Sequence, residues 1–214
     1  MSKKIEITPG PELLFSLQRT GYKWHQAVLD IIDNSIDALR ERYEATEKED
    51  GFVRIKFIST KKRCAAIVIA DNGTGISPES LEEILRMGTS FKRGRSALGT
   101  FGMGLKTAGM SLGNRITVIS TTSDLSELRS VTWDISRAIR VGLFEADFHE
   151  SPPKRHIEHF EKYVGDCSGT AVLIEDLREE GIPSSTGSMF GTMRKNCDHH
   201  YRHILNPDTN HLDA

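Results

Sequence analysis

The sequence predicts an α+β fold, in which helices pack against a β-sheet. Amphipathic helical segments and alternating strand segments both occur, but they do not follow the strict β-α-β order that builds a doubly wound parallel sheet. The 214 residues include 37% hydrophobic side chains, enough for one sizeable core. No internal repeat or low-complexity tract interrupts the chain. A single domain over residues 1–214 is therefore expected.

The longest predicted element is a helix from Lys23 to Tyr43. One helical face is formed there by residues that recur at steps of three and four. These residues are Trp24, Val28, Ile31, Ile32, Ser35, Leu39 and Tyr43. A shorter helix is predicted before it at 11–20, because Pro11 suits a first-turn position and Gly21 suits the C-terminal cap.

The remaining elements follow from alternation, capping and breaker residues. Alternating or continuous apolar runs predict strands at 53–59, 64–70, 115–121, 129–135 and 169–175. Further helices are predicted at 78–87, 103–112 and 188–205. Ser77 and Pro78 form a capping serine and a first-turn proline for the first of these. Residues 141–164 give no assignment, and Pro152-Pro153 breaks any regular element there.

Charge and cysteine content exclude several classes of protein. With 28 basic and 30 acidic side chains, the chain gives no support to whole-surface binding of nucleic acid. Cys64, Cys167 and Cys197 are far apart, which fits a reducing compartment better than a disulfide framework. The N-terminus has no apolar signal segment, and no window is apolar enough to span a bilayer. We therefore expect a soluble cytoplasmic protein without membrane contact.

A polar stripe lies on the long helix, opposite its apolar face. Its members Asp30, Asp33, Asn34 and Asp37 project within about 100° of one another. One interpretation is a solvated polar face. However, three acids without a basic residue among them repel one another. A bound Mg²⁺, which takes oxygen ligands, would relieve the repulsion, and one acid would then deprotonate a water.

A second constellation, Asp71–Ile76, directly follows the predicted buried strand. Its Asp-Asn-Gly start is typical of a tight turn, but a helix cap follows instead of a second strand, so a hairpin is disfavoured. A carboxylate at a buried strand end is placed to accept hydrogen bonds from a ligand amine. Gly73 and Gly75 would let a flat ligand lie against bare backbone.

The third constellation, Gly99–Thr107, is rich in glycine and opens a predicted helix. Two known phosphate-binding patterns do not fit. Leu105 separates the glycine from the lysine that a P-loop places side by side, and Thr107 stands where the dinucleotide fingerprint has a glycine. A helix start still favours a phosphate, and an anion explains Lys106 in the first turn better than the helix dipole does. Close packing of the helix on the sheet is the alternative.

In this order, the constellations resemble the motifs of the GHKL superfamily of ATPases. The superfamily includes gyrase-type topoisomerases, the ninety-kilodalton heat-shock chaperone, sensor histidine kinases and MutL mismatch-repair proteins. Val28–Ala38 resembles the N box, Asp71–Ile76 the adenine-binding D-x-G-x-G box, and Gly99–Lys106 the second glycine box. Gly169-Thr170 resembles the remaining threonine motif. The segment Phe101–Gly113 is most similar to the microrchidia (MORC) ATPases, followed by the heat-shock chaperone.

The resemblance implies a fold and a domain plan. The fold would be a two-layer α/β sandwich of the Bergerat (GHKL) type, with a mixed, mostly antiparallel sheet and helices on one face. The core would extend over about 11–177, with a C-terminal helical extension at about 186–206. Clamps of this family usually carry further domains, so an ATPase module excised from a longer protein is one expectation.

The resemblance also implies ATP and Mg²⁺ as cofactors, with roles for single residues. Asn34 would ligate Mg²⁺, Asp71 would accept from the adenine amino group, and Gly73 and Gly75 would line the base. Thr170 would support Asp71 through water. The other cofactor-binding positions would be Asp37, Ala38, Ile76, Gly99, Thr100, Phe101, Gly102, Met103, Gly104, Leu105 and Lys106. The loop 88–98 would form a lid over ATP.

Asp30 and Lys106 are the catalytic residues that the resemblance implies, and Asp30 departs from the family pattern. Hydrolysing members carry a glutamate four residues before the Mg²⁺ asparagine. Aspartate retracts the carboxylate by one methylene, about 1.5 Å, and general-base geometry tolerates little error. We therefore expect a Mg²⁺-dependent ATPase with slow turnover, or one that needs closure by a partner.

Three functions stay open. The favoured one is a clamp or switch that binds ATP or ADP and forms an ATP-dependent homodimer, with a protein client or DNA bound by domains outside this chain. The others are a protein kinase of the histidine- or serine-directed kind and a nucleotide-binding adaptor without turnover. Against the kinase, only His25 precedes the N box in its helix.

His199, His200 and His203 have a zinc-compatible spacing, but a polar helix face is favoured for them.

Overall fold

The computed structural model describes residues 23–48, 50–60, 63–85 and 104–202. The helices in these ranges are α1 (Trp24–Thr46), α2 (Pro78–Glu83), α3 (Gly104–Leu112), α4 (Ile135–Val141), α5 (Lys154–Tyr163) and α6 (Thr186–His200). The strands are β1 (Val53–Ser59), β2 (Cys64–Asp71), β3 (Gly113–Thr121), β4 (Arg129–Asp134), β5 (Asp147–His149) and β6 (Gly169–Leu177). A short 3-10 turn, Leu125–Glu127, joins β3 to β4.

The strands form one six-stranded sheet in the order β1-β2-β6-β3-β4-β5. Every described strand pair is antiparallel, where the expectation was a mixed, mostly antiparallel sheet. The central strand β6 brings the ends of β2 and β3 together, because Thr170 is paired with both Asp71 and Ser120. This register places the ends of β2 and β3 on either side of the start of β6.

Five of the helices contribute to the main core on one face of the sheet. Buried residues of α1, α3, α4 and α6 lie there with the alternate strand residues Ile67, Ile69 and Ile116, and Leu81 of α2 joins them. These alternate positions face the same side because strand side chains repeat every two residues. The predicted α+β sandwich is confirmed in this layer.

The opposite face of the sheet carries α5, which the prediction of helices on one face did not include. Phe160 and Tyr163 of α5 pack there with Val68 of β2 and Leu173 of β6. His156 is 9% exposed, and its Nδ1 is hydrogen-bonded at 2.9 Å to the hydroxyl of the fully buried Ser130. The helix therefore covers an apolar strip that would otherwise be exposed.

The longest helix, α1, extends the predicted segment by three residues at its end. Val28, Ile31 and Ile32 are buried as the periodicity predicted, and α1 packs against α3. Tyr43 belonged to the predicted apolar face but is 49% exposed. It lies in the last two turns of α1, after Asp37, the last buried residue of the helix.

Several other boundaries differ from the prediction. The serine cap of α2 is confirmed, since the Ser80 N–H donates to Ser77 Oγ at 3.3 Å, but α2 ends at Glu83 and not near 87. The predicted strand over 129–135 loses its last residue, because Asp134 caps α4 through the Arg137 N–H at 2.8 Å. The unassigned stretch 141–164 contains β5 and α5.

The C-terminal helix α6 begins two residues before its predicted start, and residues 203–205 of the prediction lie outside the described part of the chain. The predicted helix at 11–20 lies outside the described residues. Within the described ranges, no helix combines the length and the apolar character needed to cross a membrane. Cys64, Cys167 and Cys197 are free thiols.

Candidate functional site

The candidate site centres on Asp71, the last residue of β2, which is only 3% exposed. Burial raises the pKa of its carboxyl to about 6, and hydrogen bonds from the Ser35 side chain and the backbone of Gly73 and Thr170 oppose this rise. The Gly73 N–H donates to Asp71 Oδ1 at 3.0 Å. The carboxyl is thus held at the strand end by neutral donors.

The hydroxyls of Ser120 and Thr170 form hydrogen bonds that hold the Asp71–Ile76 turn in place. Ser120 Oγ donates to the Gly169 carbonyl at 2.7 Å and accepts from the Ile76 N–H at 2.9 Å. Because the single Ser120 proton goes to Gly169, the Thr170 hydroxyl at 2.9 Å must be the donor to Ser120. Thr170, which was expected to support Asp71 through water, contributes its backbone to Asp71 and its hydroxyl to Ser120.

The glycines of the turn meet the protein's own chain. A Cβ added at Gly73 would lie 2.6 Å from the Cβ of Ala38, and one added at Gly75 would lie 1.9 Å from the Thr121 carbonyl oxygen. Gly75 also has a φ of +74°, which L residues rarely adopt. The prediction explained both glycines by space for a ligand. The structure gives another reason, close packing against α1 and the end of β3.

Helix α1 is joined to this turn by backbone contacts. The Thr74 N–H donates to the Ala38 carbonyl at 3.3 Å. From the other side, the Ser168 hydroxyl, just before β6, donates to the Gly73 carbonyl at 2.9 Å. Ala38, a predicted cofactor-binding position, therefore lies directly against the Asp71–Ile76 turn. The predicted N box and adenine box are brought together in space.

Asp30 and Asn34 lie one turn apart on α1, and both are half-buried. The Asn34 Nδ2 donates to the Asp30 carbonyl at 2.9 Å. This bond commits the amide nitrogen to the helix backbone, so Oδ1 is the end of the amide that remains as an oxygen ligand. Asn34 therefore presents the donor type that Mg²⁺ prefers.

The other two acids of the stripe face different partners. Asp33 Oδ1 accepts from the Tyr201 hydroxyl at 2.7 Å and lies 3.8 Å from His200 Nε2. Burial raises the pKa of Asp33, and the Tyr201 hydrogen bond opposes that rise. Asp37 is 6% exposed and lies 3.8 Å from Arg40. The predicted stripe is thus divided between the site, α6 and a neighbouring arginine, and it is not a solvated face.

Lys106 lies in the first turn of α3 and is 1% exposed. Burial lowers the pKa of its ammonium group. Near the same helix start, a Cβ added at Gly104 would meet no atom of the described chain within 4 Å. Leu105 is half-buried between the two.

Part of the predicted site lies outside the described residues. This part comprises the second glycine box at 99–103, the lid at 88–98 and His203. Within the described ranges, no group of three or more His, Cys, Asp and Glu side chains could hold a metal ion. The structure therefore offers no support for zinc at His199 and His200.

Sequence reasoning missed two hydroxyls that shape the site. Ser35 was counted with the apolar face of α1, and its burial at 5% agrees with that position, but its hydroxyl hydrogen-bonds to Asp71. A serine within an otherwise apolar stripe was the available indication. Ser120 lay in an alternating strand segment, and only the strand register brings it to Thr170.

Comparisons with known proteins agree with this arrangement. Residues 22–170 match the sequence profile of the family described as Histidine kinase-, DNA gyrase B-, and HSP90-like ATPase. The chain is similar to Protein MICRORCHIDIA 2 of Arabidopsis thaliana, with 32% identity over 115 residues, which are 53% of this chain and 17% of that protein. It is also similar to Protein MICRORCHIDIA 6 of the same plant, with 33% identity over 106 residues, 49% of this chain and 15% of that protein.

The matched region covers at most 17% of the length of these two relatives. The resemblance to GHKL and microrchidia ATPases, predicted from the motifs, is confirmed by both comparisons. Both support nucleotide binding and ATPase-type function. Since the profile covers more than half of the chain, the chain belongs to the histidine kinase-, DNA gyrase B- and HSP90-like ATPase family.

Proposed function

We propose that this domain binds ATP together with Mg²⁺, hydrolyses it slowly and works as a nucleotide-dependent dimerising clamp. The observation that carries the nucleotide site is the Asp71 carboxyl, 3% exposed and held by neutral donors at the end of β2. A buried carboxylate is costly unless it is paired or fully hydrogen-bonded. An amino group of a bound base supplies a further donor, which favours the ionised carboxylate.

The residues present fit a Mg²⁺–ATP complex by the chemistry of their donors. Asn34 Oδ1 would be the protein ligand of the metal. Mg²⁺ usually keeps several waters and binds phosphates with only one or two protein ligands, so a dedicated acidic cluster is not needed. When bound, the ion would neutralise charge on the phosphates.

Asp30 is the proposed general base, because it lies one helical turn before Asn34 on the same face. Its carboxylate would orient the attacking water and take its proton. Its side chain is one methylene shorter than glutamate, about 1.5 Å, which supports slow turnover. Lys106 would place a positive charge near the phosphates. Burial lowers its pKa in the free domain, and a neighbouring anion would raise it again.

The clamp is proposed from the family resemblance, in which microrchidia, MutL and heat-shock-chaperone ATPases are grouped with this chain. ATP would join α1, the Asp71–Ile76 turn and the start of α3, three parts that lie far apart in sequence. Size measurement by light scattering, with and without a non-hydrolysable ATP analogue, tests this part of the proposal. An unchanged mass with saturating analogue would count against the clamp.

Incubation with γ-labelled ATP tests the chemistry. We expect Mg²⁺-dependent release of free phosphate; labelled protein would instead indicate a kinase, and binding with neither product an adaptor. Asp71→Asn should abolish binding. The matched control is Asp147→Asn, which removes a half-exposed acid from β5, at the far edge of the sheet. Equal loss of binding in both variants would contradict the assignment of Asp71.

A further inference from the structure

The C-terminal end of α6 is joined to α1 by one buried tyrosine. The Tyr201 hydroxyl lies 2.7 Å from Asp33 Oδ1 and 3.2 Å from the Leu29 carbonyl oxygen. Tyr201 is 7% exposed, and its ring belongs to the main core. Both neighbours are acceptors, so the single hydroxyl proton is shared between them, with the shorter bond to Asp33.

The two acceptors flank the candidate base and the candidate Mg²⁺ ligand. Leu29 immediately precedes Asp30, and Asp33 immediately precedes Asn34. The Asn34 amide donates to the Asp30 carbonyl at 2.9 Å. Two neighbouring carbonyls in one turn of α1 therefore each accept a side-chain hydrogen bond, one from α6 and one from Asn34 itself.

We infer that Tyr201 is a positioning residue, which fixes the turn of α1 that presents Asp30 and Asn34. The inference rests on the proposed function, because it concerns the rate at which that site hydrolyses ATP. Tyr201 would not touch the nucleotide. It would act through Leu29 and Asp33, and it would make the geometry of the site depend on how α6 is docked.

Loss of the hydroxyl has a direct physical consequence. The Asp33 side chain is only 19% exposed. Without its donor, the carboxylate must find another partner or move toward water, and it shares a helix face with the like-charged Asp30 and Asp37. Either response displaces the 29–34 turn. A displacement of about 1 Å is enough to reduce a chemical step by up to about 100-fold.

The test compares Tyr201→Phe with Met193→Ala. The first variant removes one oxygen atom and keeps the ring in the core. The second removes buried side-chain volume from the same helix, since Met193 is 3% exposed, without touching the hydrogen bonds to α1. For Tyr201→Phe we expect kcat to fall by about tenfold or more and the Mg²⁺ concentration for half-maximal activity to rise. Nucleotide affinity without Mg²⁺ should stay unchanged, because Asp71 is not affected.

Met193→Ala should unfold more easily but keep the kcat of the wild type in its folded fraction. If the two variants lose kcat equally, or Tyr201→Phe keeps its kcat, the inference is wrong. A wild type that releases no phosphate would contradict the proposed function and, with it, the role of Tyr201. Full hydrolysis by Tyr201→Phe would overturn the inference about Tyr201 but would leave the proposed function unaffected.

A second pair of measurements is independent of turnover. In the free protein, hydrogen exchange at residues 30–34 should be faster in Tyr201→Phe than in Met193→Ala, although the second variant is the less stable. In an Asp33→Asn background, Tyr201→Phe should have a smaller effect on this exchange, because no charge is then left without a donor. Equal exchange in the two single variants would overturn the inference.

Discussion

Replacement of Asp71 by asparagine is expected to stabilise the free protein at neutral pH while removing nucleotide binding. Asparagine has nearly the shape of aspartate, and its Oδ1 can still accept from the Gly73 N–H, which donates to Asp71 Oδ1 at 3.0 Å. It removes the charge whose burial opposes folding. The site would thus be less functional and more stable, as is common where a binding group is held in an unfavourable environment.

The size of the effect follows from the pKa. Burial raises the pKa of Asp71 from 3.8 to about 6, which corresponds to about 3 kcal/mol at 1.36 kcal/mol per unit. Because the folded-state pKa is raised, the native protein binds more protons than the unfolded chain between these values. Stability therefore falls as the pH rises through this window, and the full cost is present above pH 6.

Urea unfolding of the wild type and the variant at pH 5 and pH 8 measures this cost. About half of the cost is already present at pH 5, so the stability advantage of Asp71→Asn should grow by about 1.4 kcal/mol between the two conditions. His156 titrates in part of the same range, but it is present in both proteins and cancels in the difference. A parallel binding assay should detect no nucleotide binding by the variant.

Two results would refute this reasoning. An advantage of the same size at pH 5 and pH 8 would mean that the effect does not come from the ionisation of Asp71. A variant less stable than the wild type at both values would mean that the lost hydrogen bonds outweigh the buried charge. Asp147→Asn, at a half-exposed position, is the control and should change stability by no more than about 0.5 kcal/mol at either pH.

Three further predictions concern other parts of the domain. Gly75→Ala should lower the unfolding free energy by more than about 1 kcal/mol, because Gly75 has a positive φ and an added Cβ would meet Thr121. Gly191→Ala in α6 should raise the unfolding free energy by about 0.5–1 kcal/mol, since an added Cβ there meets no described atom within 4 Å. Thermal melts of both variants check this pair. Asp30→Glu should raise the single-turnover hydrolysis rate and Asp30→Asn should lower it, while Asn34→Ala should abolish Mg²⁺-dependent binding; an unchanged rate in Asp30→Asn would remove Asp30 as the base. Burial lowers the pKa of His156 to about 4. The folded protein should therefore lose up to about 3 kcal/mol of stability as the pH falls from 6.5 to 4, because the unfolded chain takes up the proton first. The stability of His156→Gln should depend less steeply on pH over this range, as acid unfolding can measure.

Local pattern was sufficient to predict the elements that carry the candidate site. Alternation gave the bounds of β1 correctly and those of β2 to within one residue. Helical periodicity located α1, and the serine-proline pair located the start of α2. In each case a few neighbouring residues determine the backbone conformation and the buried face, so distant contacts are not needed to infer them.

The missed helices depended on information beyond local pattern. Helix α4 begins within an apparent strand because Asp134 caps it, and Asp134 alone does not distinguish a cap from a strand end. Helix α5 buries His156, Phe160 and Tyr163 on one face, and the sequence pattern left this stretch without an assignment. Its burial is explained by the hydroxyl of Ser130, a residue 26 positions away.

The glycines of the Asp71–Ile76 turn illustrate a different limit of sequence reasoning. Their identity correctly indicated a close approach of backbone to something. It did not indicate what approaches. The neighbours are Ala38 for Gly73 and Thr121 for Gly75, and both contacts arise only when α1 and β3 are assembled around β2.

The polar stripe of α1 shows how one helix face can serve several partners. The prediction from sequence grouped four residues because they lie within one sector of the helix, namely Asp30, Asp33, Asn34 and Asp37. That sector is wide enough to be contacted by different elements at different heights, and Asp33 is bonded to Tyr201 of α6 while Asn34 is anchored on the Asp30 carbonyl. The stripe is therefore the joint between the candidate nucleotide site and the C-terminal helix. A force that moves α6 would reach the candidate base and metal ligand through a single turn of α1, which is the mechanical requirement for a domain that converts nucleotide state into a change of shape.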